Sequence, residues 1–155
     1  MLHELFNEDC YMLDIETDGL SPINNGMTSV CLVKFDINAQ SLHRSVTGIM
    51  HFRINTSINV DLFRTKCDKT AKFRREHHID ETESALPCMH RLDDIVKEIN
   101  AFIQTTATNP STANVFALHT EFDIAFLRGY YEAAGYDFSF QHRNIWEIAS
   151  LIRGM

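Results

Sequence analysis

The chain has 155 residues, which is enough for one domain with a single hydrophobic core. Hydrophobic residues make up 45% of it and charged residues 23%, as in ordinary globular proteins, and no apolar run approaches the roughly 18 residues of a membrane span. The formal net charge of −7 argues against a protein that holds nucleic acid by bulk electrostatic attraction, although it does not exclude one that acts through metal ions.

The N-terminus and the cysteines bear on the cellular compartment. The segment 1–9 is short and acidic, which argues against a secretory signal. The cysteines are widely scattered and form no CxxC pair, so we expect a reduced, cytoplasmic setting in which some of them pack in the core. They are Cys10, Cys31, Cys67 and Cys88.

Three strand patterns follow one another along the first part of the chain. In the first, apolar residues lead into Asp14, and Gly19 and Pro22 then close the stretch, which predicts a buried strand ending in a turn. Residues 28–36 and 43–55 carry the next two patterns. Because the connections are short, we predict an antiparallel meander.

The rest of the chain alternates between helical and strand patterns. The clearest is a helix over residues 90–105, where apolar residues recur at helical spacing along one stripe. With the meander, this order predicts an α/β fold in which helices flank a mixed central sheet. The other predicted elements are a helical or partly helical segment at 60–78, a strand at 113–118, a helix at 121–134 stopped by Gly135, and a strand entering a helix at 143–151.

Two carboxylates stand at the end of the first predicted strand. Asp14 and Glu16 are two residues apart, so on a strand they project from the same face. The two carboxylates of such a pair repel each other, and a hard divalent cation such as Mg²⁺ or Mn²⁺ usually neutralises them. The alternative is that both residues are simply solvated where the strand turns out to water.

A third carboxylate lies in the second half of the chain. Asp123 falls in the first turn of the predicted helix that follows a short strand. A structural role is open to it, because an acid in the first turn offsets the helix dipole and contributes about 0.3–1 kcal/mol. A metal-binding role is the other possibility.

Two segments resemble motifs of a known enzyme family. The stretch from Asp14 to Leu20 resembles the first motif of the DEDD 3′–5′ exonucleases, and Phe122-Asp123 resembles the second. The similarity is greatest to phage and bacterial enzymes of the exonuclease A and ribonuclease T kind, although His119 and the two residues after it depart from the family pattern. The resemblance implies a ribonuclease H-like fold over a single domain of residues 1–155.

The resemblance also implies roles for these residues. Asp14, Glu16 and Asp123 would be the catalytic carboxylates that bind two Mg²⁺ or Mn²⁺ ions, with Asp14 bridging them. Thr17 would lie near the terminal 3′-hydroxyl and Leu20 would stack on a base. The full implied substrate-binding set is Thr17, Asp18, Gly19, Leu20, His119 and Phe122.

The family's third motif, a histidine followed five residues later by an acid, is not evident. His142 and Glu147 have the spacing, but their surroundings fit a strand-to-helix segment better, and we expect the helix with the third motif to be lacking. Two hypotheses follow. One is an exonuclease acting on single-stranded DNA or RNA 3′ ends in the cytoplasm of a bacterium or phage-infected host, with no membrane and with a homodimer allowed. The other is a weak or inactive binding module for nucleic acid or protein on the same fold.

Positive charge is concentrated in one part of the chain. Six of the 14 Lys and Arg residues lie within residues 64–75. A solvated helix face and a phosphate-contacting patch account for such a run equally well. The six are Arg64, Lys66, Lys69, Lys72, Arg74 and Arg75.

Overall fold

A six-stranded sheet runs through the computed structural model, which describes residues 9–37, 45–62, 68–78 and 84–154. The strand order across the sheet is β4-β3-β2-β1-β5-β6, which places β1 near the centre. The strands are β1 Cys10–Thr17, β2 Met27–Phe35, β3 Val46–Ile54, β4 Cys88–Met89, β5 Asn114–Ala117 and β6 Ile145–Glu147.

The sheet is mixed, as the sequence predicts. Strands β1, β2 and β3 pair antiparallel in chain order, which confirms the meander. Strands β5 and β6 then add on the other side of β1 in parallel, and β4 pairs parallel to β3. The ends of β1, β5 and β6 therefore meet at one edge of the sheet, where ligands of α/β proteins are commonly bound.

Five α-helices accompany the strands within the described residues. The predicted helix at 90–105 is confirmed with bounds one or two residues later. The predicted helix at 121–134 is confirmed with bounds one residue earlier, and it ends before Gly135, which has a positive φ of 72°. The predicted segment 60–78 includes the end of one helix and the whole of the next, and residues 63–67 lie outside the described residues. The helices are α1 Ser57–Leu62, α2 Asp68–Glu76, α3 Leu92–Thr106, α4 Thr120–Ala133 and α5 Ile148–Gly154.

The main core lies on the sheet face covered by α3 and α4. Leu13 and Ile15 of β1 belong to this core together with residues of both helices, while Met12 points to the opposite face and joins a smaller cluster with Phe116 and Trp146. Side chains alternate along a strand. Asp14 and Glu16 therefore project from the sheet face opposite the main core.

Two further expectations concern the membrane and the cysteines. Along the described part of the chain, every helix is too short or too polar to cross a bilayer. Cys10 is buried, as expected for a core cysteine, and Cys31 and Cys88 are free thiols that are half-buried. Cys67 lies outside the described residues. The expected cytoplasmic location and single-domain organisation stay predictions.

Candidate active site

Strand β1 presents its two carboxylates beside polar groups of the neighbouring strands. Asp14 pairs across the sheet with Cys31, which pairs in turn with His51, so the three side chains form a row on one face. Partial burial raises the pKa of Asp14 above its usual range, and the nearby His51 acts in the opposite direction. The charge of Asp14 adds to the effect of burial in raising the pKa of the Cys31 thiol.

Asp123 reaches the same strand from α4. Its side chain is buried, and its carboxylate accepts backbone hydrogen bonds from His119 and from Ile15, the residue between Asp14 and Glu16. Burial and then the charge of Asp14 raise the pKa of Asp123 to about 6, against the lowering effect of these hydrogen bonds. The structure therefore brings Asp14 and Asp123 together, although 109 positions separate them along the chain.

Glu16 forms an ion pair with an arginine of the protein. One of its carboxylate oxygens lies 3.5 Å from Nη1 of Arg74, on α2. The Arg74 side chain is only 7% exposed, whereas that of Glu16 is 42% exposed. Sequence reasoning noted the basic run that contains Arg74, but nothing in that run distinguishes the one buried arginine from its exposed neighbours.

The donor set fits a divalent ion at Asp14 and Asp123. Both carboxylates supply hard oxygen ligands, and burial raises the pKa of each, which a bound cation would offset. Across the four described ranges, however, no three Asp, Glu, His or Cys side chains are arranged around one metal position. Since Glu16 contacts Arg74, the joint role of all three predicted carboxylates stays a prediction.

The loop after β1 is held closed by Asp18. One Asp18 oxygen accepts a hydrogen bond from the backbone N–H of Gly26 at 2.7 Å, and the other accepts one from Asn59 Nδ2 at 3.0 Å. A Cβ at Gly19 would lie 2.2 Å from the Asn25 side chain, so any larger residue there would displace Asn25. Asp18 therefore shapes the loop, whereas its contact with substrate stays a prediction.

Two polar residues that sequence reasoning missed anchor this loop to the core. Asn59 Nδ2 also donates to the carbonyl of Met27 at 2.9 Å, and the Tyr130 hydroxyl donates to Asn59 Oδ1. The same hydroxyl accepts a hydrogen bond from the Met27 backbone N–H at 3.0 Å. These residues come from α1, β2 and α4, so no local pattern could have linked them.

The other predicted substrate-binding residues differ in their access to solvent. Leu20 is 78% exposed at the loop surface, and His119 is exposed just before α4. Thr17 is buried and its hydroxyl donates to the Gly19 carbonyl at 2.6 Å. Phe122 is half-buried against the main core, with its ring 4.8 Å from that of Phe126. Leu20 and His119 are thus the two members of the set most open to a ligand.

His142 and Glu147 occupy different kinds of element. His142 lies exposed in a short 3-10 turn, while Glu147 ends β6 and its carboxylate accepts a hydrogen bond from the Ser150 hydroxyl. By strand alternation Glu147 shares the sheet face of Ile145, which packs on the main core, and this is the face opposite to Asp14. The pair therefore does not form the single helical site that a third motif would need.

The mixed six-stranded sheet with its flanking helices has the ribonuclease H-like α/β fold, and solved structures of E. coli exonuclease I share it. The complex with a dT13 oligonucleotide is 16% identical with a TM-score of 0.65, the zinc-bound complex with single-stranded DNA is 13% identical with 0.66, and the metal-free complex is 14% identical with 0.65. In each case the match covers 94% of this chain and 29% of the exonuclease, so the chain spans under a third of the length of those proteins.

At such low identity the likeness establishes the fold, and it confirms the predicted fold class. No protein-family model matches the sequence. No curated protein sequence matches it either.

Proposed function

We propose that the chain is a metal-dependent 3′–5′ exonuclease domain acting on single-stranded nucleic-acid ends. The observation that carries the proposal is the meeting of Asp14 and Asp123, with the Asp123 carboxylate hydrogen-bonded to the backbone of Ile15. The fold shared with exonuclease I, which has been solved with single-stranded DNA in zinc-bound and metal-free forms, supports it.

Each carboxylate has a distinct part in this proposal. Asp14 and Asp123 would hold a Mg²⁺ or Mn²⁺ ion, and Glu16 would add its oxygens for a second ion by exchanging its contact with Arg74. Bound divalent ions supply a water that ionises near neutral pH and neutralise charge on the leaving oxygen. Asp14 is the best shared ligand because it lies next to Asp123 and on the same face as Glu16.

The loop after β1 would receive the terminal nucleotide. Its hydrogen bonds through Asp18, Asn59 and Tyr130 hold it in place before any ligand binds, which reduces the entropy lost on binding. Leu20 projects from this fixed loop and offers an apolar surface on which any base can stack. A site of this kind accepts many sequences.

One observation favours the second candidate, a binding module on the same fold. Glu16 is paired with Arg74, and the described residues offer no three-ligand metal site as they stand. A protein that keeps this ion pair would bind a strand end without hydrolysing it. The homodimer stays a prediction in either case.

A single assay separates the two candidates. The protein is incubated with Mn²⁺ and a 5′-labelled oligonucleotide, with and without a blocked 3′ end. The exonuclease predicts a ladder of shortened products that requires both the metal and the free 3′ end. Binding without any shortening would support the module.

Asp14→Asn identifies the source of the activity. We expect a loss of about 10³-fold or more in rate, because weakening one shared metal ligand removes several kcal/mol of transition-state stabilisation. Asp137→Asn, a change at an exposed acid in the loop after α4, is the matched control and should leave the ladder intact. A ladder that survives in Asp14→Asn would belong to a contaminant.

A further inference from the structure

The exposed side of α2 carries aromatic and basic groups that the carboxylate site does not use. We propose that this side is a binding surface for the single-stranded polynucleotide that leads into the site. The inference rests on the proposed function, because it names the path of the strand whose end the carboxylates would receive.

Helix α2 is fixed against the site by its buried arginine. Arg74 Nη1 lies 3.5 Å from Glu16, and its side chain is 7% exposed, so one side of the helix faces Glu16. The neighbouring residues of the same short helix must then lie close to the site on its solvent side. A polynucleotide whose 3′ end is bound at Asp14 can therefore reach α2 along the protein surface.

An aromatic pair stands on that exposed side. Phe73 is 53% exposed, and its ring centroid lies 4.2 Å from that of His77, one helical turn away. The pair keeps an apolar ring in contact with solvent, where it contributes little to the core. Rings of this kind stack on unpaired bases, a contact available to every base because each has a flat π face.

The charge of α2 contrasts with that of the whole chain. The helix holds four basic and two acidic residues, whereas the chain carries a net charge of −7. Lys72 and Arg75 are exposed on either side of Phe73 and Arg74 in sequence, and Lys72 lies 3.6 Å from Glu76 in a solvent-exposed pair. Such a pair contributes little to stability, so Lys72 can turn to a phosphate at small cost.

The combination favours a single strand over a duplex. Stacking on Phe73 needs a base whose face is free, and in a duplex those faces are covered by neighbouring base pairs. The net negative charge of the chain disfavours binding of a phosphate backbone in general, and the basic helix is a local exception. Electrostatic attraction of the backbone and stacking of bases are the two parts of sequence-tolerant strand binding.

The test measures binding of labelled dT12 and rU12 by fluorescence anisotropy in EDTA, over a series of salt concentrations. Phe73→Ala and Phe73→Leu remove the aromatic ring, and Leu keeps most of the bulk. The double variant Lys72→Gln/Arg75→Gln removes the charges. Matched controls on other helices are Ile152→Ala, at an apolar residue 67% exposed, and the double variant Lys97→Gln/Arg153→Gln at exposed bases.

We expect both Phe73 variants to weaken binding about tenfold, as for the loss of one stacked base. The charge variant should make the negative slope of log K against log salt shallower by about 0.7 for each phosphate that the protein no longer neutralises, which a purely structural defect would not do. The controls should bind as the unchanged protein does. Weaker binding of either polymer by the Phe73 variants supports the surface, and the polymer bound more tightly identifies the preferred nucleic acid.

Three results would contradict the proposed binding surface. They are no binding of either polymer by the unchanged protein, unchanged binding by the Phe73 variants, and equally weakened binding by the controls. Shortening of the strand in Mn²⁺ is measured separately. Binding through α2 without shortening would leave the surface standing and contradict the exonuclease. If the Phe73 variants bind the polymer as tightly as the unchanged protein and also shorten it, only the proposed binding surface is contradicted.

Discussion

The two ends of β1 both hold a buried acid, and the protein treats the two acids in opposite ways. Asp9, just before β1, is 2% exposed and accepts hydrogen bonds from the backbone N–H groups of Thr108 at 2.8 Å and Asn109 at 2.7 Å. Lys34 Nζ lies 3.0 Å from the Asp9 oxygen that also accepts from Thr108. Burial alone would raise the pKa of Asp9, but these donors bring it below its usual value.

Asp123, beside the other end of β1, has no lysine or arginine paired with it within the described part of the chain. Burial and the charge of Asp14 outweigh its backbone hydrogen bonds and raise the pKa of Asp123 to about 6. The donors around Asp9 thus outweigh its burial, whereas those around Asp123 do not. Under the proposed function, this difference separates a structural carboxylate from one that would bind a cation.

The largest expected effect on stability is at the compensated end. Asp9→Asn should lower the free energy of unfolding by about 3 kcal/mol, because Lys34 keeps its buried charge without a counter-charge. Urea unfolding at pH 7 measures this, with Asp137→Asn as the exposed control. A decrease under about 0.5 kcal/mol would show that the Asp9 interactions add nothing beyond those of a surface residue.

The effect of pH on this end has a definite sign. Because the pKa of folded Asp9 is lowered, its contribution is complete above the unfolded value near 3.8 and is lost as the pH falls through the folded value. Asp9→Asn should therefore remove part of the acid sensitivity of unfolding. The difference between the two proteins should shrink below pH 4.

The uncompensated end should respond in the opposite direction. The unfolded pKa of Asp123 is near 3.8 and the folded one is about 6, so between these values the folded protein binds more protons and its stability falls as the pH rises. Asp123→Asn should remove this penalty and raise the free energy of unfolding by about 2 kcal/mol at pH 7. Unfolding in urea across pH 4 to 7 checks it.

A gain at pH 7 that disappears near pH 4 is the expected signature of Asp123→Asn. A loss of stability at all pH values would show that the carboxylate is a structural group like Asp9. Such a result would erase the difference between the two ends of β1.

A smaller effect is expected in the loop beside the uncompensated end. Tyr130→Phe removes the hydroxyl that bonds Asn59 and Met27 and should cost about 1 kcal/mol. Hydrogen exchange should also speed up at the backbone amides of Asp18 and Gly26, which bond across the loop. Unchanged exchange would mean that Asp18 alone holds the loop.

Much of the fold could be predicted because its signals are local. The alternation of side chains in β1 and β2 and the helical stripe of α3 depend on neighbouring residues, and these elements appear where the sequence places them. Strand β4, Cys88–Met89, escaped prediction because two residues are too few to show a period. The start predicted for the third strand, residue 43, lies outside the described residues.

The site could be predicted only in part. The positions of Asp14 and Asp123 followed from motif resemblance and element order, and the structure places them together. The partners of those residues did not follow, because Arg74, Asn59 and Tyr130 reach the site through tertiary packing that leaves no local pattern. A run of basic residues cannot by itself show which one is buried.

The most direct test of the shared cation is thermal unfolding with and without Mn²⁺ at pH 7. If Asp14 and Asp123 hold one ion, Mn²⁺ at about 100 times its Kd should stabilise the protein by about 2.7 kcal/mol and raise its Tm. Asp14→Asn and Asp123→Asn should each lose most of that increase, while Asp137→Asn keeps it. No increase in the unchanged protein, or an equal increase in all four proteins, would contradict a cation shared by these two carboxylates.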